Sequence, residues 1–233
     1  MSIIVWDNHS DILFSEALKN SSIEFSEVSS ADDLAVKLPS AELVIINQDL
    51  LMRRQVLREL ISSKTPFAIY GIPGPDAAAR KELSKRLKKR HMNACWLGSL
   101  RFLPGIFSLK EFLNSGAMGK VSNILLQGWE NNPSGWNAFR ESDLIEWLAE
   151  ATGAECEKSI ISTAQKSYRI QLKSANGILQ WQYTPGHNAV LDWQIEDRKK
   201  HKEFVEREAL VLELQLLAYC VAHQYSWYNL ASL

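Results

Sequence analysis

Three stretches, AELVIINQ at 41–48, PFAIYG at 66–71 and NACWLG at 93–98, are short and each holds a continuous apolar run. A strand with no polar alternation must be buried on both faces, the situation of a strand inside a parallel sheet covered by helices. Helices are expected between them: Asp11–Lys19 after the opening run SIIVW, Ala31–Leu38 with Ser29 or Ser30 as N-cap, Leu51–Ser62, and Asp76–Arg90. IEFSEV at 23–28 is a short extended piece. Repeated strand–helix–strand units predict an α/β fold with a parallel, doubly wound sheet.

Near Leu103 the texture changes. Pro104 is expected to open a helix that ends at Gly116. VSNILLQGW, SYRIQLKSANGILQWQY and VLDWQIED then alternate apolar with polar, and Ala175-Asn176-Gly177 between two such runs is a hairpin signal. The second half therefore reads as an α+β domain with an open, mainly antiparallel sheet and helices on one side. A last helix, Phe204–Ala222, is apolar over more than one face, which places it between elements or subunits. The domains are expected at 1–103 and 104–233.

Composition removes several classes of function. In 233 residues, 46% are hydrophobic and 23% charged, with a net charge of -1. That is soluble globular composition without a bias toward nucleic acid or membrane. No apolar run approaches the ~18 residues that span a bilayer, and Met1 does not lead into a signal peptide, so a cytoplasmic protein is expected. Cys95, Cys156 and Cys220 are few and unpatterned, as in a reducing compartment. The basic helix Arg80–His91 reads as a solvated face rather than a nucleic-acid surface. Of eight tryptophans, Trp129, Trp136, Trp181 and Trp193 are expected on or near the second sheet, as an aromatic face that serves a core and a subunit interface.

LGSLRFLPGIFSLKEFLNSGAMGKVSNILLQGW, Leu97–Trp129, resembles the junction between the two domains of the Gfo/Idh/MocA family of NAD(P)-dependent oxidoreductases. Gly98, Arg101, Phe102, Pro104, Ser115, Gly116, Ala117, Gly119 and Lys120 match the family pattern in order and spacing. The resemblance extends in outline over most of the chain. It implies a Rossmann-like first domain, an oligomer formed through the second-domain sheet, and hydride chemistry on sugar-like substrates. Under it, SIIVWDNHSD falls on the family's second strand with Asp7 at the acidic tip.

Several parts that this chemistry needs are not in the sequence. G-x-G-x-x-G permits close approach of backbone to pyrophosphate, and the ribose-binding acid lies ~20 residues beyond it. Six residues precede Asp7, so the family's first strand, glycine-rich turn and first helix are expected to be missing, either lost or lying upstream in the gene. Asp7 is then a ribose acceptor without a phosphate cradle, or an ordinary strand-end acid or helix cap. The family's Glu-Lys-Pro reads Gly71-Ile72-Pro73, and Ile72 cannot polarise a hydroxyl or move a proton as lysine does. The family's Asp-x-x-x-His falls near Phe139 and Asp143, and no histidine stands between His91 and His187. The cofactor-lining Thr-Pro reads Asn47-Gln48.

The remaining candidates are weighed against structural roles. Asp143 and Glu146 share a helix face at acid–base spacing, or are ordinary exposed carboxylates. Arg101 and Lys110 neutralise an anionic ligand near the family's cleft, or form structural ion pairs. Trp129 lines that cleft, and His187 is a turn histidine. No metal site is expected. The sequence is read as a degenerate family member that does not transfer hydride alone and serves as a binding, partner or regulatory subunit. Its partners are further subunits and a small molecule, and no cofactor is expected. The alternative is a working oxidoreductase that takes NAD(P) in an atypical way.

Overall fold

The computed structural model describes residues 2–7, 11–47, 50–74, 76–129, 136–152, 156–225, 227 and 231–232, with 50–55, 77, 129 and 231–232 described by backbone alone. The chain forms two compact units, Met1–Gly98 with Leu210–Leu233, and Ser99–Ala209.

The first unit opens with β1 (Ile3–Asp7), α1 (Ile12–Asn20), β2 (Ser26–Glu27), α2 (Ala31–Lys37), β3 (Leu43–Asn47), α3 (Leu50–Ser63), β4 (Phe67–Tyr70), α4 (Ala77–Arg90) and β5 (Ala94–Leu97). All five strands run parallel in the order β2-β1-β3-β4-β5. Every residue of β1 and β3 is buried, as the apolar runs require. Helix starts follow residue chemistry: Asp11, Ser30 and Asp76 are N-caps whose side chains accept from the backbone N–H of Phe14, Asp33 and Ala79. Helix α4 stops where His91 turns left-handed. Ile4, Trp6, Val44, Ile46, Phe67 and Ile69 pack with Leu34, Leu60 and Leu87 in one core cluster.

β1 pairs directly with β3, Ile3 opposite Leu43 through to Asp7 opposite Asn47. The chain leaves β1 toward β2 on one side and later returns to β3 on the other, so this pair is the point at which strand order reverses. In open α/β sheets, ligands bind outside the carboxyl ends of the strands at such a point.

The second unit holds α5 (Ile106–Asn114), β6 (Val121–Trp129), α6 (Trp136–Ala149), β7 (Glu157–Thr163), β8 (Tyr168–Ser174), β9 (Gly177–Tyr183), β10 (Ala189–Ile195) and β11 (Arg198–Phe204). Its sheet runs β11-β10-β9-β8-β6-β7, antiparallel except for the parallel pair β6–β7. Leu109 and Leu113 of α5 and Leu144, Ile145 and Leu148 of α6 belong to one core with Ile124, Leu126, Ile170, Leu172, Leu179 and Leu191 of the sheet.

Pro104 does not start the helix expected there. A 3-10 turn over Leu100–Phe102 comes first, and Gly105, at φ 82°, is the N-cap of α5. The Pro104 carbonyl instead accepts the indole N–H of fully buried Trp181 at 2.9 Å. Trp193 packs on Phe112 of α5, and Trp136 stacks on Phe139 of α6. Of the tryptophans expected near this sheet, Trp181 and Trp193 thus serve its core. The row Gln171, Gln180, Asp192 and His201, paired in register across β8 to β11, is polar.

Phe204 ends β11 rather than opening a helix. The last helix, α7 (Ala209–Ala222), is followed by β12 (Ala231–Ser232), which pairs antiparallel with β5. The segment from Leu210 onward thus belongs to the first unit, where 104–233 had been expected as one domain, and the division falls after Gly98. The reason is visible in the contacts: buried Glu213 of α7 accepts the Gly98 N–H at 2.6 Å, and Gln215 donates to the Ser21 carbonyl.

Candidate functional site

At the carboxyl ends of β1 and β3, Asp7 and Asn47 stand side by side, 8% and 7% exposed. The Asn47 amide donates to Asp7 Oδ1 at 2.7 Å, and the Ser15 hydroxyl of α1 donates to Asp7 Oδ2 at 3.0 Å. Both oxygens of the carboxylate are thereby engaged by neighbours. Two residues singled out separately in the sequence are brought into contact, and each takes up hydrogen-bonding capacity of the other.

After β4 the turn Gly71–Ile72–Pro73–Gly74 follows, with Gly71 at φ 100° and Ile72 half-buried. The Gly74 carbonyl accepts from Arg80 of α4 at 3.3 Å, and Tyr70 stacks on Phe14 of α1 with ring centroids 4.7 Å apart. The position of the family lysine is thus an aliphatic side chain in a turn bound to its own helix. Gln48 and the Trp129 side chain lie outside the described residues.

A second cluster lies within the second unit. Arg101 makes a two-pronged pair with Asp143, Nε to Oδ2 at 2.8 Å and Nη2 to Oδ1 at 2.6 Å. The Arg101 guanidinium also lies 5.2 Å from the Trp147 ring centroid, and Lys110 Nζ lies 4.5 Å from it. Lys110 donates to the Trp147 carbonyl and pairs with Glu150 at 3.6 Å. Burial raises the Asp143 carboxyl above its ordinary range, outweighing the opposite pull of Arg101. Burial likewise lowers the Lys110 ammonium, against the pull of Glu150.

Asp143 and Glu146 do not act as a pair. Asp143 is held by Arg101, whereas exposed Glu146 accepts from Lys158 of β7 at 2.7 Å. His187 is exposed in the turn before β10, its N–H on the Thr184 carbonyl.

Two buried acids were not singled out from the sequence. Glu213 is the first. Glu141 of α6, 2% exposed, is the second, and a Cβ at Gly128 of β6 would run into its carboxylate. The lone glycine late in the strand VSNILLQGW is the one sequence signal of that approach.

On the second sheet an open groove of about 420 Å³ includes Gln171, Gln180, Asp192 and Lys199 in its lining. Among the described residues no three His, Cys, Asp or Glu side chains gather as a metal site, and no helix is long and apolar enough to cross a membrane.

Solved structures of Gfo/Idh/MocA-type oxidoreductases share this fold over nearly the whole chain. A dehydrogenase from Chromobacterium violaceum is similar over 97% of this chain and 88% of its own, with a TM-score of 0.75 at 10% identity. UDP-N-acetylglucosamine 3-dehydrogenase from Acidithiobacillus ferrooxidans matches over 96% and 89%, TM-score 0.70, at 13% identity. A 3-ketoreductase from Actinomadura kijaniata, in complex with NADP, matches over 97% and 91%, TM-score 0.68, at 10% identity. The likeness is one of fold. No family profile and no curated protein matches the sequence.

Proposed function

We propose that this chain is a degenerate Gfo/Idh/MocA-type homologue that does not catalyse hydride transfer alone and acts as a binding, partner or regulatory subunit. The observation that carries the reading is Asp7. Its carboxylate lies at the end of β1, at the strand-order reversal, with both oxygens held by Asn47 and Ser15. The bonds from Asn47 and Ser15 take up the acceptor that a ribose hydroxyl would use. Ile72 offers no proton, and Asp143, near the position of the family histidine, is held by Arg101. In this reading association runs through the C-terminal sheet.

The test is calorimetry and fluorescence with NADH and NADPH on the purified full-length protein. No saturation is expected up to about 1 mM cofactor, a binding energy weaker than ~4 kcal/mol. Micromolar binding would replace this reading with the alternative, an NAD(P)-dependent oxidoreductase on a sugar or polyol with atypical cofactor contacts. The NADP held by the ketoreductase of the same fold is what favours that second reading.

A further inference from the structure

The four outer strands of the two sheets are β2, β12, β11 and β7. An outer strand presents unpaired backbone N–H and C=O groups, and proteins blunt such edges by shortness or by charge. β2 and β12 have two residues each. β11 reads RKKHKEF, with a positive or basic side chain at five consecutive positions. β7 has neither protection. It reads EKSIIST over seven residues, charged only at its first two. Its centre carries Ile160 and Ile161, 40% and 49% exposed, on opposite faces. Among the described residues β6 is the one strand paired with it.

We infer that β7 is an association edge and that its occupant is β7 of a second copy of this chain, antiparallel about a two-fold axis through Ile160. The argument is the charge pattern. In that register Ile160 meets its own copy, Ser159 meets Ile161, Lys158 meets Ser162 and Glu157 meets Thr163, so no charge faces its like and all seven residues pair. The same operation on β11, centred on His201, sets Lys200 against Lys202. A two-fold contact must be self-complementary, and of the two long edges only β7 is. Opposed side chains in an antiparallel pair come within reach of one another, so Ile160 covers Ile160 and the exposed apolar surface is removed from water. The two sheets then continue as one. This deepens the proposed association through the C-terminal sheet by naming the edge, not the polar face, as the contact.

The experiment is sedimentation of the full-length protein over a concentration series. The wild type is expected to dimerise reversibly. Ile160→Lys and Ile160→Glu, which place like charges opposite each other, should each weaken dimerisation roughly tenfold or more. Mixing the two variants should restore it, because Lys then faces Glu. Circular dichroism establishes that each variant is folded, and Ile160→Arg or Ile160→Asp, which again set like charges opposite each other, serves if one is not. Dimers of undiminished strength in the folded variants would overturn the edge while leaving association through another part of the sheet. A wild type that stays monomeric throughout would overturn both.

Discussion

The side-chain amide of Asn47 donates to the carboxylate of Asp7 at 2.7 Å, across two neighbouring parallel strands. The contact closes on itself a pair of polar groups that would otherwise face a ligand at the carboxyl edge of the sheet. A buried polar group is stabilising only while its partner remains, and leaving one unsatisfied costs more than the bond returns. Truncating either member should therefore reveal the other.

Asp7→Ala is expected to lower stability by about 1–3 kcal/mol, since the buried Asn47 amide loses its acceptor. Asn47→Ala should cost a similar amount, and the double variant less than the sum of the two. Urea unfolding of the four proteins measures this; strictly additive losses would mean that the pair is not coupled.

Arg101→Met strands the buried Asp143 carboxylate and should cost about 3–5 kcal/mol, whereas changing both to apolar residues should recover much of the loss. The pH dependence has a definite sign. Because the folded carboxyl is raised above its ordinary 3.8, the folded state holds the proton more tightly. Stability from this group is present below the unfolded value and lost as pH rises through the folded one. Relative to Asp143→Asn, the wild type should gain stability on acidification from about pH 7 to about pH 4, as read from urea midpoints. A constant difference across that range would count against it.

Gly128→Ala should destabilise the second unit by about 1–3 kcal/mol, because the added methyl meets the Glu141 carboxylate inside the core. In a Glu141→Ala background the same substitution should cost far less. Thermal melts of the four combinations give the coupling, and equal losses in both backgrounds would refute the contact.

Gly105→Ala meets two obstacles: a left-handed backbone at φ 82° and the ring of Phe204, 2.5 Å from the new carbon. A loss of about 1–3 kcal/mol is expected. Trimming the ring as well, with Phe204→Ala, removes the steric part and leaves the backbone part, so the double variant separates them in the same melts.

Much of the first unit was legible because its strands are apolar on both alternations and its helices open on Asp11, Ser30 and Asp76, whose side chains cap N-termini wherever they occur. The strands that were missed, β7, β11 and the two-residue β12, are all outer ones. β7 is exposed on both faces and β11 alternates among cations, so neither shows a buried period. An all-round apolar helix announces that α7 is enclosed but not by which sheet, and Glu213 settles that through a bond spanning 115 positions. The site has the same division. Asp7 and Asn47 were readable as strand-end polar residues, and their mutual bond, forty residues apart, was not.

The placement of α7 sets the order in which the protein matures on the ribosome. The strands β1 to β5 emerge first, yet the Gly98 N–H that follows them lacks its Glu213 acceptor until α7 has been synthesised. The intervening unit, 99–209, is contiguous and is released whole before Glu213. Synthesis from the amino end therefore leaves the first unit to be completed after the second, and a nascent chain whose residues have left the ribosome only as far as Ala209 would carry a finished second unit beside an unfinished first.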